Sequence, residues 1–194
     1  ATVTMLLAGV PWYYLATLIP PAAGAFYVLV MRSPYRWRRI LAMLDPWSSA
    51  NPSAYQPRQA LLAITTGGWW GKGLGGGMQK LGYLPEDSTD FIFSVYCEEF
   101  GFLGAVLLVG LFLLWMWQAR RAIVTAGDEL GRVLVGALGF LVAVQAVLHV
   151  AVATGAAPPT GATLPFISAG GTSLVVLAAA VAAMVSVTAH RHPT

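Results

Sequence analysis

Three uninterrupted apolar runs constrain this chain more than any other feature: 101–118 (GFLGAVLLVGLFLLWMWQ), 133–154 (VLVGALGFLVAVQAVLHVAVAT) and 172–189 (TSLVVLAAAVAAMVSVTA). A helix rises only about 1.5 Å per residue, so crossing the hydrocarbon layer takes about 20 largely apolar residues, which each run approaches or supplies. A fourth run, 5–31, is long enough but is interrupted by Pro11, Pro20 and Pro21. Proline kinks a span and leaves carbonyls for neighbouring groups to satisfy. With 57% hydrophobic and 10% charged residues, against about 25% charged in soluble domains, the expected fold is all-α. It is a polytopic transmembrane helical bundle of about four spans, with residues 1–194 forming part of a single membrane domain. No charged stretch precedes the first apolar run, so no signal peptide is expected. The lone Cys97 has no partner for an internal disulfide and reads as a small core residue. The net charge of +3 comes without a Lys/Arg run, which argues against nucleic acid as a partner.

Four spans place both ends of the chain on one side. The short loop 119–132 carries Arg120, Arg121 and Arg132, and the tail carries Arg191. By the positive-inside tendency both are cytoplasmic, which sends the loop 32–100 to the opposite face. That loop holds Arg32, Arg36, Arg38, Arg39, Arg58, Lys72 and Lys80. Charge bias weakens as a guide for loops this long, and cations kept outside against it suggest an anionic ligand. A second loop, 155–171 (GAAPPTGATLPFISAGG), falls on the same face by parity.

Within the large loop the tract GGWWGKGLGGGMQK (67–80) contains Gly71, Gly73 and Gly76 in a G-x-G-x-x-G spacing. No strand precedes it and no βαβ unit can surround it, so a dinucleotide site fails its context. A phosphate loop fails too, because Gly73 follows the lysine where Ser or Thr is needed. Either the tract is a turn-rich connection or its glycines let backbone approach a substrate. Arg36, Arg38 and Arg39 have two readings as well. They snorkel to the membrane interface, or they bind phosphate oxygens in the bidentate way guanidinium favours.

In the run 133–154 Gln145 and His149 share a helix face and are expected to form interhelical hydrogen bonds. Glu98 and Glu99 sit at the start of the second span, where acids suit a helix N-terminus. The stretch YLPEDSTDFIF (83–93) gathers three of only eight acidic residues: Glu86, Asp87 and Asp90. Asp90 stands between polar loop and Phe91, Ile92 and Phe93, where a carboxylate can act as a general base. Alternatively, the three acids offer oxygen ligands to Mg²⁺ or Ca²⁺.

Several ordered blocks resemble one family. PYRWRRILAMLDPW, YQPRQALLAITTGGWWGKGLGGGMQKLGYLPEDSTDFIFSVYCEEFGFLG and GAAPPTGATLPFISAGGTS are similar to the SEDS family (FtsW/RodA/SpoVE), and closer to its FtsW-like branch. The resemblance covers nearly everything from residue 32 onward. It implies a fold of about ten spans, of which these are the last four, in the bacterial cytoplasmic membrane. It also implies an enzyme that polymerises lipid II, with a class B penicillin-binding protein and division or elongation proteins as partners.

On the same resemblance Asp90 is the catalytic residue. Arg36, Arg38, Arg39, Lys72, Glu86, Thr89 and Ser168 are substrate-binding candidates, and a divalent cation, Mg or Mn, is a candidate cofactor. The chain departs from the family pattern at Ser88 (His in the family), Ala60 (Ser), His149 (Asn) and Ala169 (Tyr). Two other functions fit the sequence less closely. A lipid-linked precursor transporter needs functional polar groups within spans, and a non-catalytic division scaffold needs only helix surfaces.

Overall fold

The computed structural model describes residues 11–48, 50–77 and 90–189. Seven α-helices and one 3₁₀ turn occur among them, and no strand. They are α1 (Trp12–Ala16), α2 (Ile19–Met31), α3 (Pro34–Leu44), the 3₁₀ turn Pro52–Ala54, α4 (Tyr55–Gly67), α5 (Ile92–Thr125), α6 (Glu129–Ala153) and α7 (Gly171–Ala189).

Two of these helices, α5 and α6, are long and apolar enough to cross a membrane, while α2 and α7 are shorter apolar helices. Most of the apolar surface of α5 and α6 points outward, with Leu107, Leu111, Leu113 and Val147 all exposed. An apolar exterior of this kind suits lipid rather than water.

The large loop contains more helix than its glycines and prolines suggest. Pro34 stands in the first turn of α3, and Pro52 in that of the 3₁₀ turn leading into α4. A missing N–H costs nothing at such positions. Asn51 caps this start, accepting from Ser53 N at 3.1 Å while its amide donates to Arg38 O at 2.9 Å. The proline-interrupted first run resolves the same way. A turn at Thr17–Leu18 separates α1 from α2, and Pro20 opens the second helix.

Helix α5 packs most extensively on α6 and α4, α7 packs on α6, and α2 touches the rest chiefly through α3. The main core joins Phe93, Cys97 and Leu108 of α5 to Ala146 and Ala153 of α6 and to Leu164. A smaller cluster of Ala60, Phe91, Val95 and Val152 ties in α4. Ala119, Val135 and Met184 bring α7 in at the far end. Small residues allow this closeness: a Cβ on Gly139 would come within 3.1 Å of Ala119 Cβ.

Helix α5 begins at Ile92, earlier than the apolar run at 101, because residues 92–100 form a buried first segment. Gly101 interrupts it with a non-helical φ of 68° and ψ of −165°. Such a break frees backbone groups that need new partners. The glycine tract supplies them. Lys72 N and Gly73 N donate to Glu98 O and Glu99 O, both at 3.0 Å, while Phe102 N and Leu103 N donate to Gly68 O and Trp69 O at 2.8 and 3.3 Å.

Candidate active site

Asp90 occupies the turn just before α5. The alternation of its neighbours fixes it there. Phe91 is buried with Ala60, Val95 and Val152, and Phe93 is buried with Cys97, Ala146 and Leu164. Two aromatic anchors within three positions leave the backbone little freedom. The Asp90 side chain stays half-buried at the edge of this apolar wall. Across from it lies Gly161, at a φ of 75°, where a Cβ would be 3.5 Å from Asp90 Oδ2. The two loops assigned to one face by parity therefore meet at Asp90.

Side-chain hydrogen bonds hold the second loop over this point. Gln145 Nε2 donates to Thr163 O at 3.0 Å and to Thr163 Oγ1 at 2.9 Å. Thr163 Oγ1 in turn lies 3.2 Å from Ser173 Oγ at the start of α7. The buried His149 ring places Nδ1 2.6 Å from Ala162 O, and Phe93 N donates to its Nε2 at 3.4 Å. The interhelical bonds expected of these two residues are made only in part: Gln145 bonds to the loop that follows its own helix rather than to another helix, and His149 joins that loop to the start of α5. Leu164 N donates to Ser168 Oγ at 2.7 Å, closing a turn in which Phe166 adopts a φ of 66°. The candidate Ser168 is therefore largely buried and bonded to the loop's own backbone.

The glycine tract approaches backbone closely, but the backbone belongs to α5. A Cβ on Gly71 would run into Glu99 O, and one on Gly67 into Cys97 O. Glu98 is fully buried, and its Oε1 lies 2.6 Å from Lys72 Nζ. The role of Glu98 is therefore not confined to favouring a helix N-terminus, as its sequence position suggested. Its burial and ion pair leave no mark in the local sequence, since Lys72 lies 26 positions away. Lys72, a substrate-binding candidate, directs its ammonium to this carboxylate.

The three arginines of α3 diverge. Arg36 Nη1 donates to Leu29 O at 2.8 Å, closing off the end of α2. Arg38 lines an open groove of about 660 Å³ with Asp45, Ser48 and Asn51. Arg39 alone reaches toward the second loop, donating from Nη1 to Pro159 O at 2.8 Å and from Nη2 to Tyr35 Oη at 2.5 Å. Glu86, Asp87, Ser88 and Thr89 lie outside the described residues. Among the described residues no three His, Cys, Asp or Glu side chains group as metal ligands.

Comparison with known proteins matches this arrangement to one lineage. The family profile for FtsW/RodA/SpoVE cell cycle proteins matches residues 1–193. A relative in Saccharophagus degradans, named "Probable peptidoglycan glycosyltransferase FtsW", is 41% identical over 89% of this chain and 45% of its own length. Likewise named relatives in a Geobacter species (strain M18) and Halorhodospira halophila are 41% and 43% identical over 96% and 91% of this chain. These matches cover 51% and 46% of those proteins.

A solved chain, described under the structural coordination of polymerization and crosslinking by a peptidoglycan synthase complex, superposes with a TM-score of 0.76. It shares 27% identity and is matched over all of this chain and 54% of its own. The chain spans about half the length of the curated relatives it matches. It is a membrane protein and belongs to the FtsW/RodA/SpoVE family.

Proposed function

We propose that the protein containing this chain is a membrane-embedded glycosyltransferase that polymerises lipid II into peptidoglycan glycan strands, with Asp90 as general base. The observation that carries this reading is the placement of Asp90, half-buried against the apolar start of α5 and faced by Gly161 of the second loop. A lipid-linked sugar needs such a border, where its tail stays among helices and its head group meets polar loop. The names of the curated relatives support the same reaction.

In this mechanism the Asp90 carboxylate removes the proton from the acceptor sugar hydroxyl as that oxygen attacks the anomeric carbon. Undecaprenyl pyrophosphate leaves from the opposite face, so the centre inverts, as in glycosidases that use a base on one side. The charge developing on the pyrophosphate needs cations. Arg39 is well placed in the chain for that, being bonded to the loop that covers Asp90, while Lys72 acts from within its pair with Glu98. Glu86, Thr89 and a divalent cation complete the proposal.

The site faces the extracytoplasmic side of a multi-pass protein in the bacterial cytoplasmic membrane, where crosslinking partners such as a class B penicillin-binding protein also work. The solved relative's description joins polymerization to crosslinking, which supports such a partner. Gln145 and His149 would be the in-span groups of a transporter. Their hydrogen bonds go to the second loop and to the start of α5, the two segments beside Asp90, which favours the transferase reading.

The decisive measurement is lipid II polymerisation by the full-length protein carrying Asp90→Asn. The expected outcome is loss of polymer by more than about 100-fold with folding intact. Normal polymer from a folded variant sinks the proposal.

A further inference from the structure

We infer that His149 is a positioning residue for Asp90, a strut that sets the distance between the two backbones flanking that carboxylate. The inference rests on the proposed role of Asp90. It begins from the hydrogen-bond inventory of the ring. A backbone N–H can only donate, so the contact from Phe93 N makes Nε2 an acceptor. The proton of the neutral imidazole is then on Nδ1, which donates to Ala162 O at 2.6 Å. Each edge of the ring holds a different backbone.

Those two backbones bracket the site. Phe93 is three residues after Asp90, and Ala162 follows Gly161, which faces the Asp90 carboxylate. Phe93 N also belongs to the first turn of α5, whose N–H groups lack partners within the helix. The residue before the helix, Phe91, provides no side-chain cap, while Ser94 N and Val95 N turn back to Phe91 O. His149 therefore caps α5 from another helix. The same ring ties the cap to the covering loop. Because it is fully buried, packing holds it in one orientation, and a shift of either backbone breaks a bond with no water to replace it. Displacement of a reacting group by about 1 Å can cost roughly 100-fold in rate.

The experiment compares full-length proteins carrying His149→Phe, His149→Gln, His149→Asn and Asp90→Asn. Each is assayed for lipid II polymerisation across substrate concentrations and for thermal melting in detergent. Phenylalanine keeps the ring volume and loses both bonds, glutamine keeps an acceptor near the Nε2 position, and asparagine keeps a donor near Nδ1. The expected result for His149→Phe is a kcat lower by about 10- to 100-fold with KM within about twofold, with the Gln and Asn variants in between.

A His149→Phe protein with normal kcat, one that changes KM alone, or Gln and Asn variants no better than Phe would each overturn the inference. Should the Phe variant not fold, the Gln and Asn proteins decide alone. Reduced kcat at unchanged KM in either supports the strut, and normal kcat in both rejects it. Asp90→Asn separates the two levels. If it polymerises normally, the proposed function fails, whereas an inactive Asp90→Asn beside unaffected His149 variants removes only the positioning role.

Discussion

The two loops packed against α5 are anchored by different means. Residues 67–77 are held mainly by backbone, through reciprocal bonds with α5 on either side of Gly101 and through Gly67 and Gly71, where no Cβ fits, with the Lys72–Glu98 pair beside them. Residues 155–170 are held by side chains: Gln145, His149, Arg39 and the loop's own Ser168. The first mode is sensitive chiefly to size at Gly67 and Gly71. The second tolerates neither loss of a donor nor loss of an acceptor. A platform held by backbone thus braces α5 at residues 97–103, while a cover held by side chains faces Asp90. The surface of the platform stays open to variation, with Trp70 and Leu74 exposed by 82% and 80%.

The largest effect should come from forcing a side chain into the platform. Gly101→Ala sets a Cβ against Gly71 N and Trp69 O at a φ of 68°. Strain and overlap together should cost about 3 kcal/mol or more, read as a collapse in melting temperature of the full-length protein. A variant that melts normally would show that the interlock is loose. Next, Lys72→Met keeps the stem of the side chain but leaves the buried Glu98 carboxylate without that ammonium. It should destabilise by about 2–3 kcal/mol, with Lys72→Arg recovering much of the loss.

Turning to the cover, Gln145→Leu removes two bonds to Thr163 and should cost about 1 kcal/mol. Its signature is faster amide hydrogen exchange in 155–170 with 67–77 unchanged. Equal acceleration in both segments would erase the distinction between the loops. Smallest of all, Arg39→Gln releases the bond to Pro159 O at a partly exposed position and should cost about 0.5 kcal/mol in thermal melting.

The apolar runs of α5 and α6 were legible because hydrophobic length is a property of the chain alone, whereas parity put the two loops on one face without saying where they touch. The helices α3 and α4 inside the large loop were less so, since prolines that read as breaks stand at helix starts, where they are tolerated. The arginine triplet shows why adjacency misleads. Successive helical residues point about 100° apart, so Arg38 and Arg39 serve different surfaces, and only Arg39 reaches the covering loop. Glu98 and Lys72 were hidden for another reason. Their pairing depends on the break at Gly101, and nothing in GFLG distinguishes a broken helix from a glycine within a continuous one. Asp90 and its flanking phenylalanines were visible from both directions, as charge beside an apolar run and as a family block. The departure at Ala60 also makes sense only in space, for it packs fully buried against Phe91, Val95 and Val152.

The break at Gly101 also works as a depth mark. From Phe102 to Thr125 the helix has 24 residues and rises about 36 Å, slightly more than the roughly 30 Å of a bilayer's hydrocarbon. The segment 92–100 is therefore not needed for the crossing. Asp90, just ahead of that segment, thus lies outside the length of α5 that a crossing needs, and its charge never has to enter the hydrocarbon.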